Sequence, residues 1–204
     1  MLPSLSIPNR VPVMPLPGSV LLPHALVPLF IFEPRFRAML AQVLESDRML
    51  CLAHCRPGIE EAREDADILD VAGIGLVRAC VEHADGTSHL ILQGVARVRL
   101  GAFEQSAPYR VARLEVIASI MAPAAEEGAL RDRLMKALEQ VPAGGGALPA
   151  PVRAAVGEGV SLDILSDMVA ASLVVDPEVR QQLLEQASVA SRTRLLLRLL
   201  RGGE

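Results

Sequence analysis

The residues able to do chemistry in this 204-residue chain are few and poorly grouped. Cys51, His54 and Cys55 form a C-x-x-H-C cluster, with Cys80 farther along. Such a set could hold zinc. In an extended segment, however, alternation puts His54 on the opposite face from Cys51 and Cys55, which suits a tetrahedral site badly. The competing reading is three small core residues on a strand. His24, His83 and His89 are scattered among strands and turns, with no partner pattern for acid–base work. Nucleophilic catalysis lacks a G-x-S-x-G elbow, and Lys136, the single lysine, lies on an amphipathic helix facing solvent. The glycine-rich run Pro142 to Pro151, PAGGGALPAP, is not followed by Lys and Ser/Thr, so it reads as a linker and not a phosphate cradle. The reading is therefore no catalytic residues, no metal and no cofactor.

Two other groups point to binding. Glu33 and Arg35 flank Pro34 where an extended run turns into a helix. They could form a charged ligand site, or Glu33 could satisfy helix N-terminal N–H groups while Arg35 pairs with a nearby carboxylate. Leu29, Phe30, Ile31 and Phe32 are apolar on both faces of a strand. They form core if both faces are covered, and a patch for apolar peptide segments if one stays open.

Composition narrows the class. Hydrophobic residues make up 51% of the chain and aromatics 2%, so the core is aliphatic. The net charge of −4 opposes a general binder of phosphate backbones, which needs clustered positive charge. A local basic face at Arg97, Arg99, Arg110 and Arg113, on a β-rich lobe, keeps nucleic-acid or small-ligand binding as the alternative. Three cysteines fit free thiols better than a disulfide framework. The first ten residues lack a basic start, and prolines interrupt every long apolar run. A cytoplasmic protein without a membrane span is expected.

The elements follow from pattern. Pro12, Pro15, Pro17, Pro23 and Pro28 forbid a helix across Val11 to Phe32, leaving two extended pieces, Val11–Leu16 and Val20–Ile31, joined at Gly18-Ser19. A helix over about 33–45 follows, with Phe36, Met39, Leu40, Val43 and Leu44 as its buried stripe. Arg48 to Cys55 reads as a strand and Arg56 to Asp70 as an acidic loop. Val71 to His83 and the run from about Leu90 to Leu100 form a hairpin around Asp85-Gly86. Val77, Ala79 and Val81 are expected on one face, and a bulge or bend at Gly94. Tyr109 to Ile117 adds a third strand, with Ala112, Leu114 and Val116 inward. Beyond it, helices are expected at Ala124 to Val141, Leu162 to Leu173 with Ser161 as cap, from Asp176-Pro177, and Val189 to Arg201. The fold class is α+β: a twisted antiparallel β-rich pseudo-barrel over 1–120, then a small helical bundle over 121–204 with its linker at 142–151.

The run PLPGSVLLPHALVPLFIFEPRFRAML, from Pro15 to Leu40, resembles the opening signature of the Lon amino-terminal domain family, the substrate-binding module of ATP-dependent Lon proteases. The resemblance continues more weakly along nearly the whole chain. It implies a PUA-like β lobe followed by a helical lobe. It also implies a non-enzymatic binding role, as an adaptor or solitary relative in protein quality control. The Ser–Lys dyad and the G-x-x-x-x-G-K-[ST] motif of full-length Lon proteases have no counterpart here, and the chain is expected to stop short of those modules. Unfolded or degron-bearing polypeptides, and a full-length Lon protease, are the partners implied; a homo-oligomer is left open. Leu29, Phe30, Phe32, Arg35 and Phe36 are the residues through which peptide binding would run.

Overall fold

The structure, a computed structural model, describes residues 6–141 and 148–201. Strands β1 (Arg10–Pro15) and β2 (Leu26–Ile31) precede helix α1 (Pro34–Glu45). Strands β3 (Met49–Ala53), β4 (Val71–Glu82), β5 (Ser88–Gln105) and β6 (Arg110–Ile117) follow. The rest is helical: α2 (Ala124–Gln140), α3 (Ala150–Glu158), α4 (Leu162–Leu173), α5 (Pro177–Glu185) and α6 (Val189–Arg201).

The sheet runs β2-β5-β4-β3-β1-β6, and β5 also pairs with β6. Strands β1, β3, β4, β5 and β6 thus close on themselves, as expected of a pseudo-barrel. The length of β5 makes this possible: residues 88–93 pair with β2 and residues 97–105 with β6. All pairings are antiparallel except β1 with β3, a parallel pair that alternation could not reveal. Strand β2 has β5 as its one strand neighbour among the described residues, so its other side is a free edge. Pro28 sits on that edge strand, where a missing N–H is tolerated.

Helix α1 begins with Pro34 and buries Phe36, Met39, Leu40 and Val43, the stripe its spacing predicts. Each such side chain contributes about 1.5–3 kcal/mol on burial. The expected strand Val20–Ile31 is shorter than its composition suggested. Only Leu26–Ile31 pairs, while Leu21 and Leu22 lie fully buried across the sheet. This approach requires glycine beneath it. A Cβ on Gly73 would run into the Leu21 carbonyl, and one on Gly94 into the Leu22 carbonyl. The bulge expected near Gly94 is present: Ile74 pairs with Ala96 and Gly75 with Gly94, which leaves Val95 as an extra residue on β5.

A second shift, between Val77 and Ala79, inserts Arg78 as an extra residue and exchanges the faces of β4. Val77 is buried, but Ala79 and Val81 point outward and Cys80 turns toward the core. This corrects the expectation that all three residues share a face. On β6, Val116 is exposed and not inward, while its neighbour Ile117 packs against the helical cluster.

Helices α4, α5 and α6 fall where predicted. Ser161 accepts from the Ile164 N–H, and the Asp176 carboxylate from Glu178 and Val179. Helix α3 was not anticipated: Ala150 and Pro151, assigned to the linker, form its first turn. The linker residues 142–147 lie outside the described residues.

One apolar cluster unites the helices and includes Val20, Leu22 and Val71 from the sheet side. Polar contacts reinforce it. The Arg97 guanidinium on β5 donates both Nη groups to Asp167 on α4, at 2.8 Å for Nη1, and its Nε donates to the Leu184 carbonyl at 3.0 Å. From α6, Arg192 pairs with the same Asp167 at 3.0 Å and with Asp163. The Gln181 side-chain amide donates to the Val71 carbonyl at 2.9 Å.

Candidate peptide-binding face

Residues of β2 alternate between interior and solvent. Leu29 and Ile31 are buried under α1, whereas Leu26, Pro28 and Phe30 face out. Phe32 continues the outward row just past the strand. Leu26, Phe30 and Phe32 keep 62%, 49% and 57% of their surface exposed, a large fraction for apolar side chains in one row. The row is organised. The Phe30 and Phe32 rings stack with centroids 5.8 Å apart, and Phe30 lies 4.7 Å from the His89 ring, its register partner on β5. His89 is held in turn by a 2.7 Å hydrogen bond between its Nδ1 and His83 Nε2. Val81, paired with His89 across β4 and β5 and exposed, extends the face.

The five residues first singled out therefore divide by position. Phe30 and Phe32 lie on the open face. Leu29 and Phe36 are buried in the core beneath it. Arg35 is half-buried and ties down the junction: it pairs with Glu33 at 2.8 Å and Glu61 at 3.4 Å, and its guanidinium lies 4.7 Å from the centre of the Phe36 ring. The Glu33 side chain makes no cap; its backbone carbonyl instead accepts from Phe36 and Arg37. The sequence pattern does not assign Leu26, Pro28, Val81 or His89 to this face. Period-two alternation backward from Phe30 would have found the first two.

The start of β2 also borders a cavity of about 450 Å³ between the sheet and helices α3, α4 and α5. His24, Leu26, Pro28, Met168, Ala171 and Arg180 are among its lining residues.

The basic face proposed for nucleic acid does not form. Arg97 is buried against Asp167, and Arg110 is buried with its guanidinium on Asp65 and the carbonyls of Ala62 and Arg63. Arg113 pairs with Glu104, which leaves Arg99 as the one arginine of the four without an ion pair among the described residues.

The cysteine cluster is core. Cys51 and Cys55 pack in the barrel interior, and burial pushes both thiols up, away from the thiolate that zinc requires. No group of three or more potential metal ligands occurs among the described residues. Nor is any described helix long and apolar enough to cross a membrane.

Comparison with known proteins places these features. Residues 10–202 match the family model of the ATP-dependent protease La (Lon) substrate-binding domain. The Lon protease of Anaeromyxobacter dehalogenans is 28% identical over 195 residues, which cover 95% of this chain and 23% of that protein. Lon protease 2 of Myxococcus xanthus is 27% identical over 195 residues, covering 95% and 24%. The chain thus spans about a quarter of the length of these relatives. Among solved structures, the N-terminal domain of a Mycobacterium avium complex Lon protease aligns over 96% of this chain and 100% of its own, with a TM-score of 0.70 at 18% identity. A Lon N-terminal domain protein from Xanthomonas campestris covers 93% and 97%, with a TM-score of 0.66 at 18% identity. At that identity the likeness concerns the fold.

Proposed function

The chain belongs to the ATP-dependent protease La (Lon) substrate-binding domain family, and on that premise we propose that it is a non-enzymatic module that holds extended apolar segments of unfolded or degron-bearing polypeptides. The observation carrying this reading is the exposed row Leu26, Phe30 and Phe32 on a free-edged strand. An open edge offers main-chain hydrogen bonds to an added strand, and the apolar row offers contacts to its alternate side chains. Both are sequence-tolerant, which suits a receptor for many unfolded chains. Delivery of the held segment to a full-length Lon protease, as an adaptor, is the role this module would serve.

The test is fluorescence anisotropy with a labelled, permanently unfolded polypeptide at low and high salt, against the same sequence inside a folded host. Saturable binding that survives high salt is expected, because apolar contacts are not screened. Phe30→Ser with Phe32→Ser should weaken binding about tenfold or more, as truncated aromatic anchors do. Both side chains are half-exposed, so the urea midpoint should shift by no more than about 0.5 kcal/mol equivalent per site. Absence of saturation up to about 100 μM would overturn the reading.

A further inference from the structure

The cavity beside Leu26 has a charge character that an apolar groove alone would not need. Its body is apolar, formed by Leu26, Pro28, Met168 and Ala171, and Met168 can adapt to varied shapes. Among the described residues no carboxylate lines it, although the chain carries 24 Asp and Glu against 20 Lys and Arg. The one fixed charge in its wall is Arg180 on α5. Arg180 donates through Nε to the Val174 carbonyl and through Nη2 to the Ala171 carbonyl at 3.3 Å, which anchors the guanidinium at the end of α4. Its Nη1 makes no hydrogen bond among the described residues, and Arg180 has no ion-pair partner among them.

The wall next to β2 is preformed. His24 lies in the left-handed region at φ 65°, a conformation that costs a non-glycine residue energy and marks candidate functional sites. It is locked there: the His24 N–H donates to the Gly94 carbonyl at 2.9 Å, and the Gly94 N–H returns to Ala25 at 2.9 Å. The locked segment places the exposed His24 on the wall of the same cavity that Arg180 lines.

We propose that this cavity takes the carboxy-terminal residue of a bound polypeptide: an apolar last side chain in the pocket, with its α-carboxylate on Arg180 and His24. The assignment rests on the polypeptide-binding reading above and specifies one end of the bound chain. A strand laid along β2 from Leu26 toward Phe32 would cross the aromatic row about 13–20 Å from the pocket, four to six residues away. Carboxylate recognition would thus be added to sequence-tolerant apolar contacts.

The discriminating experiment compares two fluorescein-labelled octapeptides, identical and ending in leucine, one with a free carboxylate and one as the carboxamide. The acid should bind about tenfold more tightly, the loss expected when a charged hydrogen-bond partner is removed. Arg180→Met should erase that ratio and Arg180→Lys should retain most of it, with circular dichroism confirming the fold of each. Equal binding of acid and amide to the unaltered protein overturns the inference and needs no variant. If both bind equally and both depend on Phe30 and Phe32, the polypeptide reading stands without this refinement. Octanoate competing more strongly than the peptide acid would also overturn it, by identifying a lipid carboxylate as the occupant.

Discussion

Asp167 receives Arg97 from β5 and Arg192 from α6, and it is 1% exposed. A buried carboxylate between two guanidinium groups offsets its desolvation only through those partners. Burial holds the Arg192 guanidinium below its usual range, against the opposing pull of Asp167 and Asp163. Removing the carboxylate would leave two arginines buried together. Asp167→Ala should therefore destabilise the fold by about 3–5 kcal/mol, the cost of orphaning a buried charge, measured as the shift in urea midpoint. A loss under about 1 kcal/mol would show that water reaches the site and solvates both arginines. Alternation correctly placed Arg97 on the outer face of β5. It could not show that a helix 70 positions later covers that face with a matching carboxylate. The basic face inferred from the sequence failed for that reason, and the same blindness hid Arg180, whose meaning depends on what shares its cavity.

At the scale of elements, the acidic connection between β3 and β4 is held by Arg110 and by a turn that one of its own carboxylates closes. A single 3-10 turn, Asp65–Asp67, is closed when the Asp67 carboxylate accepts from the Arg63 and Glu64 N–H groups at 2.8 and 2.9 Å. Those N–H groups, and after them Arg110, hold the Asp67 carboxyl below its usual range. The unfolded chain lacks them and titrates near the ordinary value of about 3.9. The contribution is thus fully present above that pH and is lost as pH falls through the lowered folded value. Amide shifts of Arg63 and Glu64, followed by NMR from pH 6 to acid, should titrate together below the ordinary Asp range, and Asp67→Asn should abolish the titration. Local patterns of this kind were legible: the stripe of α1, the Ser161 and Asp176 caps, the hairpin at Asp85-Gly86. The bulge at Arg78 was not, because one inserted residue leaves composition unchanged while reversing every later side chain. The open face shared this fate in part. Phe30 and Phe32 were visible as apolar residues, but Val81 reached their side only through the bulge.

Across the whole molecule, the question is whether sheet and helices fold as one unit. The apolar cluster crosses between them through Val20, Leu22 and Val71, and the Arg97–Asp167 and Gln181–Val71 contacts cross at the same place. The proposed peptide pocket has walls from both parts, so its shape depends on that union. Two probes separate the parts cleanly. Tyr109, the only tyrosine in a chain without tryptophan, is buried against the sheet core and donates to Gln42, so its fluorescence reports the β side. Far-UV circular dichroism is dominated by helix, most of it beyond residue 123. In urea the two signals should trace a single transition with one midpoint, the signature of two-state unfolding. Arg97→Gln keeps a polar side chain but removes the paired charge, leaving Asp167 with Arg192 alone. In that variant the helical signal should be lost first, with the midpoints separating, and the acid–amide preference of the pocket should fall before the tyrosine signal moves. Two separated transitions already in the unaltered protein would mean that the helices fold independently, and a pocket walled by both parts could not then be preformed.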